Sequence, residues 1–167
     1  MKVLGDILRH HAAERGGKTA LKFGGREHSY ADLDRSTNRV ANALRAAGLG
    51  KGARIALLAA NTDRFFELQF GAAKAGVVLV PVNFRLAPPE VAFVVNDAGA
   101  EIFFVDAAHA ALVRRIAGDL PTVKRIVAVD FADDEWTDYL AWRDRGGDHE
   151  CGVEVLETDT ACQMYTS

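Results

Sequence analysis

The sequence of 167 residues is poor in cysteine, has no excess of positive charge and contains no long apolar run. Cys151 and Cys162 stand alone near the C-terminus with no second pair. That pattern fits neither a disulfide-stapled secreted scaffold nor a zinc cluster, and points to a reducing cytoplasm. Met1-Lys2-Val3-Leu4 runs straight into Asp6 and Arg9, too short an apolar stretch for a signal peptide or a membrane span, so a soluble protein is expected. Twenty Lys plus Arg against 23 Asp plus Glu give a net charge of -3. This leaves no overall positive field with which to gather nucleic acid, and no nucleic-acid-binding motif is present. A hydrophobic content of 49% argues against general disorder, and the length suffices for one domain with a sizeable core.

Nucleophile and phosphate motifs are missing as well. The glycine pairs at 16–17, 24–25 and 146–147 have neither the spacing of a Walker loop nor that of a dinucleotide turn, and there is no Gly-x-Ser-x-Gly elbow. His10, His11, His28, His109 and His149 are scattered, without ligand spacing to either cysteine, and surface or capping roles are expected for them; no metal site is expected. Adjacent His10 and His11 are expected on different helical faces. Cys151 lies in an acidic neighbourhood unfavourable to a nucleophilic thiolate, whereas Cys162 alternates with apolar residues and is expected in the core. No complete catalytic set emerges from these residues. Arg9, His10, Arg15, Lys18 and Lys22 allow weak peripheral contact with an anionic membrane, with ordinary solvation the simpler reading.

What is present is uneven charge. Residues 1–127 carry 18 basic and 12 acidic side chains, whereas residues 128–167 carry 2 basic and 11 acidic ones. The stretch 130–159, with Asp133-Asp134-Glu135, Asp138, Asp144, Asp148 and Glu150, reads as an acidic surface excursion.

Periodicity supplies the fold class. Apolar residues 4, 7, 8 and 12 share a helical face that ends at Gly16-Gly17, and the runs 19–23 and 26–29 flank Gly24-Gly25 as a short hairpin. Ser29 followed by Asp32 caps a helix that runs to Gly48. Strands are expected at 54–59, 77–80, 102–105 and 125–129, separated by helices at 63–75, 88–96 and 107–117. Phe65, Phe66 and Phe70, at helical spacing, are expected in the core. A further short helix is expected over 134–142, and a strand-like segment over 160–167. Apolar strands alternating with helices indicate βαβ crossovers, hence an α/β fold with a mostly parallel sheet.

The segments Arg54-Ile-Ala-Leu-Leu-Ala-Ala-Asn61, Gly71-Ala-Ala-Lys-Ala-Gly-Val-Val-Leu-Val-Pro-Val-Asn83-Phe-Arg-Leu86, Pro89-Glu90 and Asp97-Ala-Gly-Ala100, in this order and spacing, resemble the N-terminal portion of the AMP-forming adenylate-forming enzymes. Asn83-Phe84-Arg85-Leu86 is similar to the acyl-CoA synthetase branch, the fatty-acid and aryl-acid CoA ligases. Tyr165-Thr166-Ser167 resembles the opening of that family's phosphate-binding loop, which continues with Gly, Thr, Thr and Gly.

The resemblance implies that residues 1–167 are an incomplete N-terminal portion of the large adenylation domain, lacking the small C-terminal domain and its catalytic lysine. It implies that Thr166 and Ser167 begin the contacts to ATP phosphates, and that no catalytic residue lies in the chain. Asn61, Pro81, Asn83 and Arg85 are family-like positions that shape turns and subdomain contacts. The parent is expected to use ATP, Mg2+ and CoA. A carboxylate, expected to be a fatty or other hydrophobic acid, attacks the α-phosphate to give acyl-AMP, and CoA then takes the acyl group. An aryl acid is the alternative substrate, and a non-catalytic truncated interaction module the alternative role. The fragment alone is expected to be inactive, to bind ATP, Mg2+ and CoA poorly, and to self-associate through exposed apolar surface.

Overall fold

The computed structural model describes residues 1–166. Helix α1 (Leu4–Arg15) leads into a hairpin of β1 (Thr19–Phe23) and β2 (Arg26–Ser29). Gly24 and Gly25 both adopt positive φ (53° and 78°), the backbone that a tight two-residue hairpin turn requires. Helix α2 (Tyr30–Ala46) begins where Ser29 Oγ accepts the Asp32 amide at 3.1 Å and Asp32 Oδ2 accepts the Ser29 amide at 3.3 Å. The capping box legible in the sequence is therefore formed, and it satisfies two backbone donors at the helix start.

Strands and helices then alternate: β3 (Arg54–Leu58), α3 (Asp63–Ala75), β4 (Val78–Pro81), α4 (Pro88–Ala98), β5 (Ala100–Val105), α5 (Ala110–Ile116) and β6 (Arg125–Ala128). The sheet is closed by β7 (Thr137–Asp138), followed by α6 (Tyr139–Arg143). Sheet order is β4-β3-β5-β6-β7, and every pair is parallel. The α/β class and the parallel sheet expected from the sequence are both present.

Strand alternation divides the core in two. Ile55, Leu57, Leu79, Ile102 and Phe104 face α2, α3 and α6, whereas Ala56, Leu58, Val80, Phe103 and Val105 face α4 and α5. Burial on both faces explains why these strands read as continuous apolar runs. Each fully buried Leu or Phe contributes about 1.5–3 kcal/mol relative to exposure.

Several local expectations need correction. The segment 134–142 is not one helix. Asp133 Oδ1 accepts the amides of Glu135 and Trp136, both at 2.9 Å, and Asp138 Oδ1 accepts that of Ala141 at 2.7 Å. A turn, a two-residue strand and a short helix result, because Asp side chains compete for backbone donors. The helix expected at 107–117 begins as a 3-10 turn, Ala107–His109, with Asp106 as its cap. Phe66 is exposed rather than core and Phe70 is half-buried, whereas Phe65, also half-buried, packs against the core as expected. The buried face of α3 instead carries Asp63, Glu67, Leu68 and Lys74. Cys162 is half-buried, and its segment is no strand, making only a single bridge to Leu79.

The acidic excursion is tied down. Its carboxylates meet cations from the first part of the chain: Arg9 with Glu150 at 2.9 Å, Lys51 with Asp159 at 2.7 Å, and Arg114 with Glu135 at 2.8 Å. Asn38, Asn42 and Arg45 of α2 donate to backbone carbonyls between Gly147 and Cys151, and Tyr139, Trp142 and Cys151 are buried. The charge asymmetry of the sequence is thus an internal complementarity between an acidic strap and the helices beneath it.

Candidate functional site

In a parallel sheet, loops leaving the carboxyl ends of the strands gather on one edge, and a crevice forms where successive connections diverge. Here the divergence lies between β3 and β5, since β4 flanks β3 on the opposite side. Asp106, at the end of β5, stitches the two loops together. Its Oδ2 accepts the Ala60 amide at 2.9 Å, and its Oδ1 accepts the His109 amide at 3.1 Å and lies 2.5 Å from His109 Nδ1.

Beside this junction, the loop after β4 and the first half of α4 form an open groove of about 630 Å³. Asn83, Leu86, Pro89, Glu90, Phe93 and Val94 line one side, and Tyr165 and Thr166 the other. Pro88 and Pro89 start α4 where the first amides have no intrahelical partner, and Glu90 Oε2 accepts the Ala87 amide at 2.7 Å. Asn83 Oδ1 accepts the Arg85 amide at 3.0 Å, closing the turn that brings Leu86 into the groove.

Of the family-like positions, Asn83 and Thr166 come together in the groove. Pro81 ends β4 opposite Leu57 and is half-buried. Arg85 is exposed, its guanidinium 5.7 Å from the Phe84 ring centroid, and Asn61 is exposed in the turn between β3 and α3. Neither lines the groove. Ser167 lies outside the described residues.

Sequence reasoning missed the anchor of this loop. Tyr165 Oη donates to Asp97 Oδ2 at 2.6 Å and accepts from Gln163 Nε2 at 2.9 Å. Burial, followed by the adjacent Asp97 carboxylate, pushes the Tyr165 hydroxyl above the usual phenol range. Asp97 and Tyr165 are separated by 68 positions, so no local spacing marks the pair. His10, His11 and Glu14 bring one ligand atom each within 4.8 Å of one another. The adjacent histidines are thus closer than helical spacing implies, although His10 pairs with Glu14 and His11 with Arg15.

A groove at the carboxyl edge of a parallel sheet with helices on both faces is the architecture of a doubly wound α/β domain, in which ligands bind outside the carboxyl ends of the strands. The family model described as AMP-binding enzyme matches residues 8–167, and the chain belongs to this family of adenylate-forming enzymes. It is 35% identical over 168 aligned residues, covering 100% of this chain and 31% of the relative, to the fatty acid--[acyl-carrier-protein] ligase ScoC of Streptomyces coeruleorubidus. It is 43% identical over 142 residues, covering 83% of this chain and 27% of the relative, to the long-chain-fatty-acid--CoA ligase FadD13 of Mycobacterium tuberculosis (strain ATCC 25618 / H37Rv). Among solved structures, the anthranilate CoA ligase AuaEII in complex with anthranoyl-AMP superposes with a TM-score of 0.93 at 26% identity, covering 99% of this chain and 32% of that one. The chain therefore spans about a third or less of the length of these relatives.

Proposed function

We propose that residues 1–167 are the N-terminal portion of the large domain of an ATP-dependent ligase that activates a hydrophobic carboxylic acid as its acyl-AMP and passes the acyl group to the thiol of CoA. The observation carrying this reading is the family match over residues 8–167 together with the placement of Thr166 in the groove beside Asn83. In the first step a carboxylate oxygen bonds to the α-phosphorus and pyrophosphate leaves. In the second the CoA thiolate attacks the acyl carbonyl and AMP leaves.

This chain's own contribution is positional. Thr166 lines the groove on a loop held against α4, and its hydroxyl is the group this reading assigns to donate to a phosphate oxygen, where fixed donors offset developing charge. Leu86, Phe93 and Val94 give the groove an apolar wall. Mg2+ does not fit the described groove residues: Glu90 is engaged with the Ala87 amide, and Asp97, the nearest further carboxylate on α4, takes the Tyr165 hydroxyl.

A fatty acid is the favoured substrate because ScoC and FadD13, by their names, act on fatty acids. The anthranoyl-AMP complex of AuaEII supports an aryl acid as the second reading, and the ScoC match over the whole chain supports a carrier-protein thiol as the second acceptor. The test is acid-dependent pyrophosphate release by the full-length gene product, with saturated fatty acids of several lengths and with anthranilate, using CoA and a carrier protein bearing a pantetheine thiol as acceptors. Release with fatty acids and transfer to CoA is expected. Release with anthranilate alone, or transfer to the carrier protein alone, selects a second reading, and no release with any acid overturns the ligase assignment.

A further inference from the structure

We propose that Asp97 is a positioning residue that acts through Tyr165 to hold the segment carrying Thr166 against the groove, and so sets the affinity for ATP; the proposal rests on the ligase reading above. The segment is fixed at two places. On β4, the Leu79 amide donates to the Ala161 carbonyl at 3.2 Å, and the Gln163 amide donates to the Leu79 carbonyl at 2.9 Å. On α4, the Tyr165 ring packs against the core cluster of β4, β5 and α4 while its hydroxyl bridges Asp97 and Gln163. Thr166, the next residue, lines the groove with Asn83, Glu90 and Phe93. The two attachments leave it little freedom of placement.

Helix α4 provides both parts of the arrangement. Residues 89–94 form the groove wall, and Asp97 lies one turn further along, outside the lining. A carboxylate in the last turn of a helix opposes the helix dipole. Asp97 occupies that position nonetheless, and its partner is Tyr165 rather than a cation. A locally unfavourable residue with a specific distant partner is the pattern expected of a group placed for a site. Asp97 therefore meets the loop through the Tyr165 hydroxyl, and it is not among the residues lining the groove.

Two measurements on Asp97→Ala, Tyr165→Phe, the double variant and Asp97→Asn test the proposal. In the full-length gene product, loss of a hydrogen bond to a charged group is expected to raise the KM for ATP about tenfold. The kcat and the KM for the acid are expected to stay within about twofold. The double variant is expected to be no worse than either single one, since both remove the same contact. Asp97→Asn, which retains an acceptor oxygen, is expected to recover most of the affinity. In the 167-residue chain, hydrogen exchange over residues 161–166 is expected to accelerate in Asp97→Ala and Tyr165→Phe, with α2 and β3 unchanged. Unchanged exchange over 161–166 overturns the anchor. Faster exchange with an unchanged KM for ATP overturns its role in ATP affinity, as does an equal rise in every kinetic constant with a lowered melting temperature. A wild-type protein that releases no pyrophosphate with any acid overturns the ligase reading, while the exchange result still decides whether the anchor exists.

Discussion

Tyr139 and Glu67, 72 positions apart, meet in the core: the phenolic hydroxyl donates to Glu67 Oε2 at 2.7 Å, and both side chains are fully buried. Arg64 and Arg143 donate to the same carboxylate, at 2.9 Å and at 3.1 to 3.2 Å. A buried carboxylate is tolerable only with such company. Burial, reinforced by Glu67, pushes the Tyr139 hydroxyl well above the usual phenol range, so it remains a donor at any ordinary pH. Tyr139→Phe removes one donor and leaves the packing intact, with an expected cost of about 1–3 kcal/mol. Tyr139→Ala adds a cavity beneath Phe104 and Trp142 and is expected to cost about 3–5 kcal/mol. Denaturant unfolding monitored by tryptophan fluorescence separates the two: an unchanged stability in Tyr139→Phe would show that the hydrogen bond contributes nothing, and equal losses in both variants that the ring's packing adds nothing to it.

Asp63 gives a pH prediction. It is buried at the start of α3, where burial pushes its carboxyl up. The bidentate Arg26 guanidinium, at 2.7 and 2.8 Å, and His28 Nε2, at 3.0 Å, outweigh that and hold it at about 2, below its ordinary 3.8. A folded-state value lowered in this way stabilises the fold above pH 3.8, and the contribution is lost as the pH falls through about 2. The difference corresponds to roughly 2 kcal/mol. Asp63→Asn is expected to be less stable than wild type at pH 7, with the gap narrowing between pH 4 and 2. Parallel stability curves over that range would exclude the ion pair as the cause.

The strand and helix order was legible because alternation, capping and glycine stops are local. Ser29 with Asp32 and Gly24-Gly25 are examples in which every partner lies within a few residues. The inward face of α3 was not legible. Phe66 and Phe70 predict the wrong positions, because the polar partners that let Asp63, Glu67 and Lys74 be buried come from the hairpin, α6 and α2. Apolar periodicity cannot register an ion pair closed across 37 residues. The groove is not legible in the sequence: the resemblance marks Asn83 as a turn-shaping position and Thr166 as the start of a phosphate-binding loop, and neither their shared lining of one groove nor the Asp97–Tyr165 contact follows without tertiary placement.

The acidic strap separates two kinds of interaction. The ion pairs of its carboxylates with Arg9, Arg39, Lys51 and Arg114 are partly exposed, and each is expected to contribute below about 1 kcal/mol and to weaken in salt. Asn38 is buried, donating to the Asp148 carbonyl at 2.9 Å and accepting from Lys74 Nζ at 2.6 Å. Asn38→Ala leaves both a carbonyl and a buried ammonium short of a partner and is expected to cost about 2–3 kcal/mol. Cys151, buried under the strap with its thiol 3.2 Å from the Lys74 carbonyl, reports on this. In a Cys162→Ser background, Asn38→Ala is expected to accelerate Cys151 modification by a thiol reagent far more than Arg39→Ala or 0.5 M salt does, on the order of tenfold or more for a loss of this size. A larger effect of salt would make the strap an electrostatic device.

Gly146 is expected to be intolerant of a side chain. It packs against the backbone of α2, where an added Cβ would overlap the Arg39 carbonyl and approach the Ala43 amide nitrogen to 3.0 Å. Those atoms belong to a helix and cannot step aside as a flexible side chain would. Gly146→Ala is expected to cost about 1–3 kcal/mol by overpacking. Gly118→Ala, with open space around its Cβ, is the control and is expected to leave the melting temperature unchanged. Equal melting temperatures for both variants would place the strap further from α2 than the structure has it.

Association of the 167-residue chain follows from its apolar surface. Phe84 and Phe93 are 54% and 63% exposed beside the groove, whereas on the outer edge of β4 the Leu79 amide and carbonyl are taken by Ala161 and Gln163. Exposed aromatic side chains beside an apolar groove favour contact between copies. Sedimentation velocity is expected to show a concentration-dependent shift above monomer for the 167-residue chain. Phe93→Ser, at an exposed position on α4, is expected to reduce that shift without lowering the melting temperature. If Phe93→Ser leaves association intact, a surface other than the α4 side of the groove joins the copies. A monomer at every concentration, with no binding of a hydrophobic dye, would show that the groove closes over its own aromatic side chains.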